Sequence, residues 1–230
     1  MSKIAIITAR GGSKRIPRKN IKDFLGHPII YYSIKAALDS KIFDHVMVST
    51  DDEEIARISI ECGAEVPFMR SEATSNDFAG TNDVLLEVIN EYAKRGVEVD
   101  EFCCIYPTAP FITPEKLKEA ARLLKEKNAG RIIPVVRFSY PPQRGFIIND
   151  GKLSFKYPEF ETSRSQDLEP IYHDCGQFYY IDGKRFAETR GKLMAETYPM
   201  LIPETEVQDI DNEEDWELAE IKYKQMCERN

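Results

Sequence analysis

Residues 3–24 read KIAIITARGGSKRIPRKNIKDF. The run Lys3–Ala9 is short, apolar and rich in isoleucine, and two glycines end it. That pattern predicts a buried β-strand. The loop that follows carries Arg10, Lys14, Arg15, Arg18, Lys19 and Lys22 with no acidic residue among them, although the 230-residue chain has a formal charge of -8. Glycines after a strand let backbone N–H groups converge on an anion. Arginine forks onto phosphate oxygens and lysine supplies a point charge. The loop is therefore suited to a polyphosphate. It matches neither GxxxxGK[ST] nor GxGxxG.

Working outward, strands and helices alternate. A helix is predicted over 28–41, opened by Pro28, with Ile29, Ile30, Ile34, Ala37 and Leu38 along one face. Strand 45–50 comes next, then a helix over 52–62 begun by Asp51 and Asp52, whose charges suit a helix N-terminus. The acidic run 51–54 is read as capping rather than as a metal site. A third strand is expected at 64–69, a helix capped by Thr81, a strand at 101–107, a helix with Thr113 capping and Pro114 in its first turn, and a strand at 131–136. Such alternation predicts an α/β fold with a mostly parallel sheet. Ligands bind such sheets at the carboxyl ends of the strands, where the basic loop lies. From Phe138 the rhythm changes to a segment rich in Pro, Gly and aromatics, with a hairpin expected around Asp150–Gly151. A strand at 175–182 and a final helix complete the chain.

The bulk composition is that of a soluble globular protein, 42% hydrophobic and 30% charged. No apolar run approaches the roughly 18 residues a membrane span needs, and no signal peptide is visible. The expected compartment is the cytoplasm. The five cysteines, Cys62, Cys103, Cys104, Cys175 and Cys227, fit that reading without disulfides. The acidic net charge argues against nucleic acid as a partner, because the basic residues form one patch rather than a face.

Near the C-terminus, Asp209 and Asp211 stand two residues apart. On an extended segment both carboxylates point the same way and can meet one ion. Two carboxylates with phosphate oxygens and water suit Mg²⁺.

The loop Thr8–Asn20, TARGGSKRIPRKN, resembles the signature of the sugar cytidylyltransferases, close to (I/P)ARxGSKxIxxKN. The segments VSTDDEEIA and YPTAPF fall where that family has similar ones, and the resemblance covers essentially the whole chain. It implies a Rossmann-like nucleotide-diphospho-sugar transferase fold in a single domain, 1–230, with a small inserted dimerisation element at about 138–170. It also implies a homodimer, CTP as one substrate and a nonulosonic acid sugar as the other. Arg10 and Lys19 would engage the triphosphate and Asn20 would help hold the nucleotide, with Ala9, Gly11, Gly12, Ser13, Lys14, Arg70 and Thr81 completing the nucleotide set. The family carries an aspartate pair before its last helix, so Asp209 and Asp211 are the expected Mg²⁺ ligands. The residues expected to act in catalysis are Arg10, Lys19 and Asp211.

Segment 163–182, SRSQDLEPIYHDCGQFYYID, resembles the branch of the family that acts on pseudaminic acid. The sialic acid enzymes usually carry glutamine before the PTSP-like turn, where this chain has Tyr106. A nine-carbon acidic sugar needs a cation, amide-matching donors and flat apolar walls. Tyr106, Thr108, Arg164, His173, Asp174, Gln177, Phe178 and Tyr179 are the expected sugar-binding set. Alternate aromatics such as Phe178 and Tyr180 also suit a core strand. Two other readings remain at this point: a cytidylyltransferase for legionaminic or N-acetylneuraminic acid, and a non-catalytic nucleotide-binding relative.

Overall fold

The computed structural model of the chain describes residues 2–13, 15–76 and 78–229. Its strands are β1 (Ser2–Thr8), β2 (Asp23–Phe24), β3 (His27–Pro28), β4 (His45–Ser49), β5 (Val99–Ile105), β6 (Arg131–Arg137), β7 (Phe146–Asn149), β8 (Lys152–Phe155), β9 (Tyr172–Asp174), β10 (Phe178–Asp182) and β11 (Thr197–Leu201). Its helices are α1 (Ile30–Ser40), α2 (Glu53–Glu61), α3 (Glu72–Ser75), α4 (Thr81–Lys94), α5 (Pro114–Glu126), α6 (Gly183–Thr189) and α7 (Glu213–Arg229).

The main sheet runs β11–β6–β10–β5–β1–β4, and β9 also pairs with β6. The pairs β1–β4, β1–β5 and β6–β11 are parallel, while β10 lies antiparallel between β5 and β6. The sheet is thus mostly parallel and flanked by helices, as the alternation predicts. One consequence decides where a ligand goes. The chain leaves β1, β4, β5, β6 and β11, and enters β10, at the same end of the sheet.

Ile4, Ala5, Ile6 and Ile7 are fully buried, so β1 has no exposed face and must be covered on both sides. Ala5 and Ile7 pack with Ile30 and Ile34 of α1 and Leu117 and Ala120 of α5. Ile4 and Ile6 pack with Leu85 and Val88 of α4 and Phe186 of α6. The adjacent Cys103 and Cys104 divide between the same two layers, and all five cysteines are free thiols. A third cluster joins Ile16 and Phe24 of the basic loop to Phe111, Ile210 and Trp216. It seats the loop against α7 and the segment that precedes it.

Several boundaries differ from expectation for identifiable reasons. The strand expected at 64–69 reduces to one bridge between Met47 and Glu65. Glu65 donates to the Val46 carbonyl and accepts from Val48, but Pro67 has no N–H with which to continue the ladder. Helix α1 starts at Ile30, because Pro28 is held in β3 against Asp23. Gly80, not Thr81, occupies the N-cap of α4, and its N–H is bound by the Asp83 carboxylate at 3.0 Å. Thr113 caps α5 as expected, accepting from Lys116 N–H.

The strand expected at 175–182 is broken. Val135 faces Asp174 and Ile132 faces Tyr180, so three residues of β6 are spanned by six of the opposing chain. The surplus forms a bulge at 175–177, where Gly176 adopts a φ of 62° and its N–H is bound by Asp174 Oδ1. Between Phe138 and Pro170 the chain makes an excursion whose β7–β8 hairpin forms a separate two-stranded sheet. Asp150 and Gly151 both take positive φ, 51° and 76°, the conformation of a tight primed turn. Ile148 and Leu153 on this hairpin are 73% and 68% exposed.

Candidate active site

The loop that follows β1 is held at the carboxyl end of the sheet by residues distant in sequence. Ala9 N–H donates to the Ser49 carbonyl. The buried Asn20 donates from Nδ2 to the Arg10 carbonyl at 2.9 Å, closing the loop on itself. Gly11 N–H donates to Asp51 Oδ1 at 2.9 Å. A Cβ on Gly11 would come within 2.9 Å of Asp52 Oδ2, which explains glycine at this position. Arg18 takes a left-handed φ of 56°, and its guanidinium bonds both Asp52 oxygens, at 2.5 and 3.1 Å, and Glu54 as well.

The six cations of the loop therefore divide. Arg18 is engaged by Asp52 and Glu54, and Lys22 by Glu213. Lys14 lies outside the described residues. Arg10, Arg15 and Lys19 line an open cavity of about 560 Å³ at the carboxyl end of the sheet. Gly12, Ser13, Asn20, Arg70, Thr81, Tyr106 and Thr108 line it too. Arg70 is buried, with Nε on Ser49 Oγ at 3.0 Å and Nη2 on the Ser49 carbonyl at 2.6 Å, and burial lowers its pKa. Thr8, Arg15, Thr74 and Asn76 line the cavity without having been expected there. Arg15 was legible in principle, because its neighbour Ile16 is apolar and packs inward.

The run 51–54 does cap α2, with Asp52 accepting from Glu54 and Ile55 N–H, and it also holds the loop. The bond from Arg18 keeps the Asp52 carboxyl below its ordinary value of 3.8, helped by the Ile55 and Glu54 N–H groups against an opposing effect of burial. A depressed folded-state value means that the stabilisation is present above the ordinary value and is lost as pH falls through the folded-state one. Asp52→Ala is expected to lower stability by about 1–2 kcal/mol at neutral pH, mainly through the lost cap. The deficit should narrow below about pH 4. Urea unfolding at both pH values checks this, and an equal deficit at both would show that the charge of Asp52 does not matter.

The expected sugar-binding residues separate more sharply. Tyr106 and Tyr179 meet edge to face at 5.7 Å, and Tyr179 donates its hydroxyl to Asp174 Oδ2 at 2.6 Å. Burial raises the pKa of both phenols. Phe178, in contrast, is fully buried in the core; β10 is an interior strand, and this face of it packs on the helices. Gln177 is 2% exposed and donates from Nε2 to the Glu206 carbonyl at 2.7 Å, so it braces the chain ahead of the aspartates. Arg164 begins a short turn in the excursion and is not among the residues lining the cavity. His173 lies elsewhere, in a smaller cavity with Asp209.

Ile210 is buried in the third cluster, between the exposed Asp209 and the half-buried Asp211. Alternation along this extended stretch puts both aspartates on the side away from Ile210. Lys19 Nζ donates to the Ile210 carbonyl at 2.7 Å and lies 3.9 Å from Asp211 Oδ1, while Arg15 meets Asp211 Oδ2 at 2.7 Å. Among the described residues no group of three or more His, Cys, Asp or Glu stands together. The chain would thus offer an ion two carboxylates, leaving other positions to phosphate oxygens and water. That donor set fits Mg²⁺ and is poor for zinc.

Residues 4–184 match the family model described as cytidylyltransferase. The chain is 40% identical over 225 residues to a pseudaminic acid cytidylyltransferase of Campylobacter jejuni, with 97% of each chain covered. It is 32% identical to a CMP-N,N'-diacetyllegionaminic acid synthase of Legionella pneumophila, with 94% of each covered. Among solved structures, a CMP:2-keto-3-deoxy-manno-octonic acid synthetase complexed with CTP superposes with a TM-score of 0.70 at 18% identity, covering 98% of this chain and 100% of that one. The expected fold is thereby met, and with the family model spanning most of its length the chain belongs to the cytidylyltransferase family.

Proposed function

We propose that this enzyme transfers CMP from CTP to pseudaminic acid, giving CMP-pseudaminic acid and pyrophosphate. The observation that carries the reading is the cavity in which Arg10, Arg15 and Lys19 converge beside Asp211, in a chain 40% identical to a pseudaminic acid cytidylyltransferase. The anomeric hydroxyl of the sugar attacks the α-phosphorus. A new O–P bond forms, the α–β bridging bond breaks toward pyrophosphate, and the hydroxyl proton passes to solvent. In such a reaction the protein mainly positions the reactants and neutralises charge. Arg10, Arg15 and Lys19 receive the charge that builds on the departing pyrophosphate. Asn20 and the Asp51–Asp52 pair keep the loop in the shape that presents those cations. Asp209 and Asp211 would hold Mg²⁺, which when bound neutralises phosphate oxygens and lowers the pKa of an attacking hydroxyl.

A second copy of the chain is the partner we infer for the excursion at 138–170. Its hairpin exposes Phe146, Ile148 and Leu153, and an isolated hairpin is marginal without something to pack against. Among the described residues no helix is long and apolar enough to cross a membrane. CTP as a substrate places the reaction in the cytoplasm under this reading.

Pyrophosphate release with CTP and Mg²⁺ tests the assignment, using pseudaminic, legionaminic and N-acetylneuraminic acids separately. Release with pseudaminic acid alone is expected. Release with legionaminic acid alone would favour the second reading, to which the 32% identical legionaminic relative points. Binding of CTP without release in any tube would overturn the catalytic assignment.

A further inference from the structure

Lys116 stands in the first turn of α5, two residues after Pro114 and three after the Thr113 cap. Nothing local favours a lysine there. The N-terminus of a helix is its positive end, which disfavours a cation. The side chain is also only 12% exposed, and taking an ammonium out of water is costly unless it is paired. Where a local rule is broken in this way, the reason is to be sought in the tertiary structure. Here Lys116 Nζ donates to the Phe111 carbonyl at 2.7 Å and meets Glu206 Oε2 at 2.7 Å.

Glu206 is held a second time. Gln177 Nε2 donates to its backbone carbonyl at 2.7 Å, while the Gln177 carbonyl accepts from Tyr106 N–H at 2.9 Å. Both ties therefore start on the chain that leaves β5. One starts at Tyr106, which lines the large cavity, and the other at Phe111, which packs with Ile210. Both end on Glu206, three residues and roughly 10 Å of extended chain before Asp209. At the far end of this stretch Ile210 is buried and Asp211 N–H donates to Asp215 Oδ2 at 2.9 Å. Between the ends, Lys222 Nζ donates to the Val207 carbonyl at 2.7 Å and to Gln208 Oε1 at 3.2 Å. Lys222 fixes the stretch to its own helix, α7, whereas Lys116 and Gln177 fix it to the sheet.

We infer that Lys116 is a positioning residue for the reaction: with Gln177 it locks Glu206 to the exit of β5, and so sets where Asp209 and Asp211 stand against the nucleotide cavity. The inference rests on the proposed role of the two aspartates as Mg²⁺ ligands. Lys116 is not among the residues lining the cavity, so it acts through the chain it holds. A displacement of about 1 Å, caused far from the chemistry, can cost about 100-fold in rate. Groups that hold a metal's ligands in place are worth about 10- to 100-fold in affinity for the ion.

The test titrates Mn²⁺, which takes the same oxygen ligands as Mg²⁺, into enzyme saturated with CTP and free of sugar, so that nothing turns over. Electron paramagnetic resonance follows the ion, with Mn²⁺ and CTP alone as the blank. Lys116→Met keeps the bulk of the side chain and removes the ammonium. Glu206→Gln keeps the shape and removes the carboxylate. Each should weaken Mn²⁺ binding about 10-fold. The double variant should bind no more weakly than the weaker single one, because all three break the same contact. At saturating Mg²⁺ the KM for CTP should stay within about twofold of wild type. A thermal melt checks folding; if Lys116→Met does not fold, Glu206→Gln, altered at a side chain 27% exposed, decides the matter. Asp211→Asn is the control. Mn²⁺ binding unchanged in the Lys116 and Glu206 variants but weakened in Asp211→Asn would overturn the inference alone. So would a rise in the KM for CTP as large as the loss of Mn²⁺ affinity, which marks a general loosening of the cavity. Unchanged binding in Asp211→Asn as well would overturn the metal assignment with it.

Discussion

Lys19→Ala is expected to lower kcat/KM for CTP by about 10²- to 10³-fold, the effect of removing one preorganised charged donor from a transition state. Lys19 lines the large cavity, and its Nζ also donates to the Ile210 carbonyl 191 positions away in sequence. Under the proposed reaction one ammonium would face the phosphates while it fixes the chain between the two aspartates. Removing it loses charge on the leaving group and loosens the segment that carries Asp209 and Asp211. The fold should persist, because Ile16, Phe24, Phe111, Ile210 and Trp216 still pack together. Steady-state kinetics and a thermal melt check this together. Activity within about fivefold of wild type would remove Lys19 from the reaction. A collapsed melt would show instead that its tie to Ile210 is chiefly structural.

How far the sequence revealed this arrangement depended on how local each cause was. Strand β1, the Thr113 cap and the Asp150–Gly151 turn are set by neighbouring residues and were legible. The antiparallel position of β10 was not, because alternation shows which segments are strands but not which will lie side by side. Phe178 shows the cost of that gap. On an edge strand its ring would be available to a sugar, but between β5 and β6 it is core. The basic loop was recognisable as a cluster of cations beside a cavity-forming strand end, yet the division of its charges was hidden. Arg18 is occupied by a carboxylate 34 positions later, and Arg15 points to Asp211 only because Ile16 is packed beside Ile210. Gln177 was read as a ligand donor. Its Nε2 instead finds the Glu206 carbonyl, a partner 29 positions away that no local pattern announces.

Asp211→Ala is expected to reduce turnover by 10³-fold or more, on the order of what loss of a metal's charge stabilisation costs, while hardly changing stability. The two halves of that expectation have separate grounds. The Asp211 side chain is half-buried and meets two cations, Arg15 at 2.7 Å, itself 69% exposed, and Lys19 at 3.9 Å. A surface pair of this kind contributes at most about 1 kcal/mol. The backbone at Asp211 is held independently, by Asp211 N–H donating to Asp215 Oδ2 at 2.9 Å, and that bond survives truncation of the side chain. The melt should therefore stay near that of the wild type. Activity has no such reserve, since the chain would offer an ion only the carboxylates of Asp209 and Asp211. With one removed, Asp209 would be the remaining proposed ligand, and Arg15 is left without the carboxylate it met. Asp211→Asn keeps the shape and loses the charge, so its residual turnover should require a higher Mg²⁺ concentration for half-saturation. Titrating Mg²⁺ against initial rate for wild type, Asp211→Asn and Asp209→Asn measures this directly. If all three curves rise at the same concentration to the same plateau, the aspartates do not hold the metal, and the pair serves only to neutralise Arg15 and Lys19.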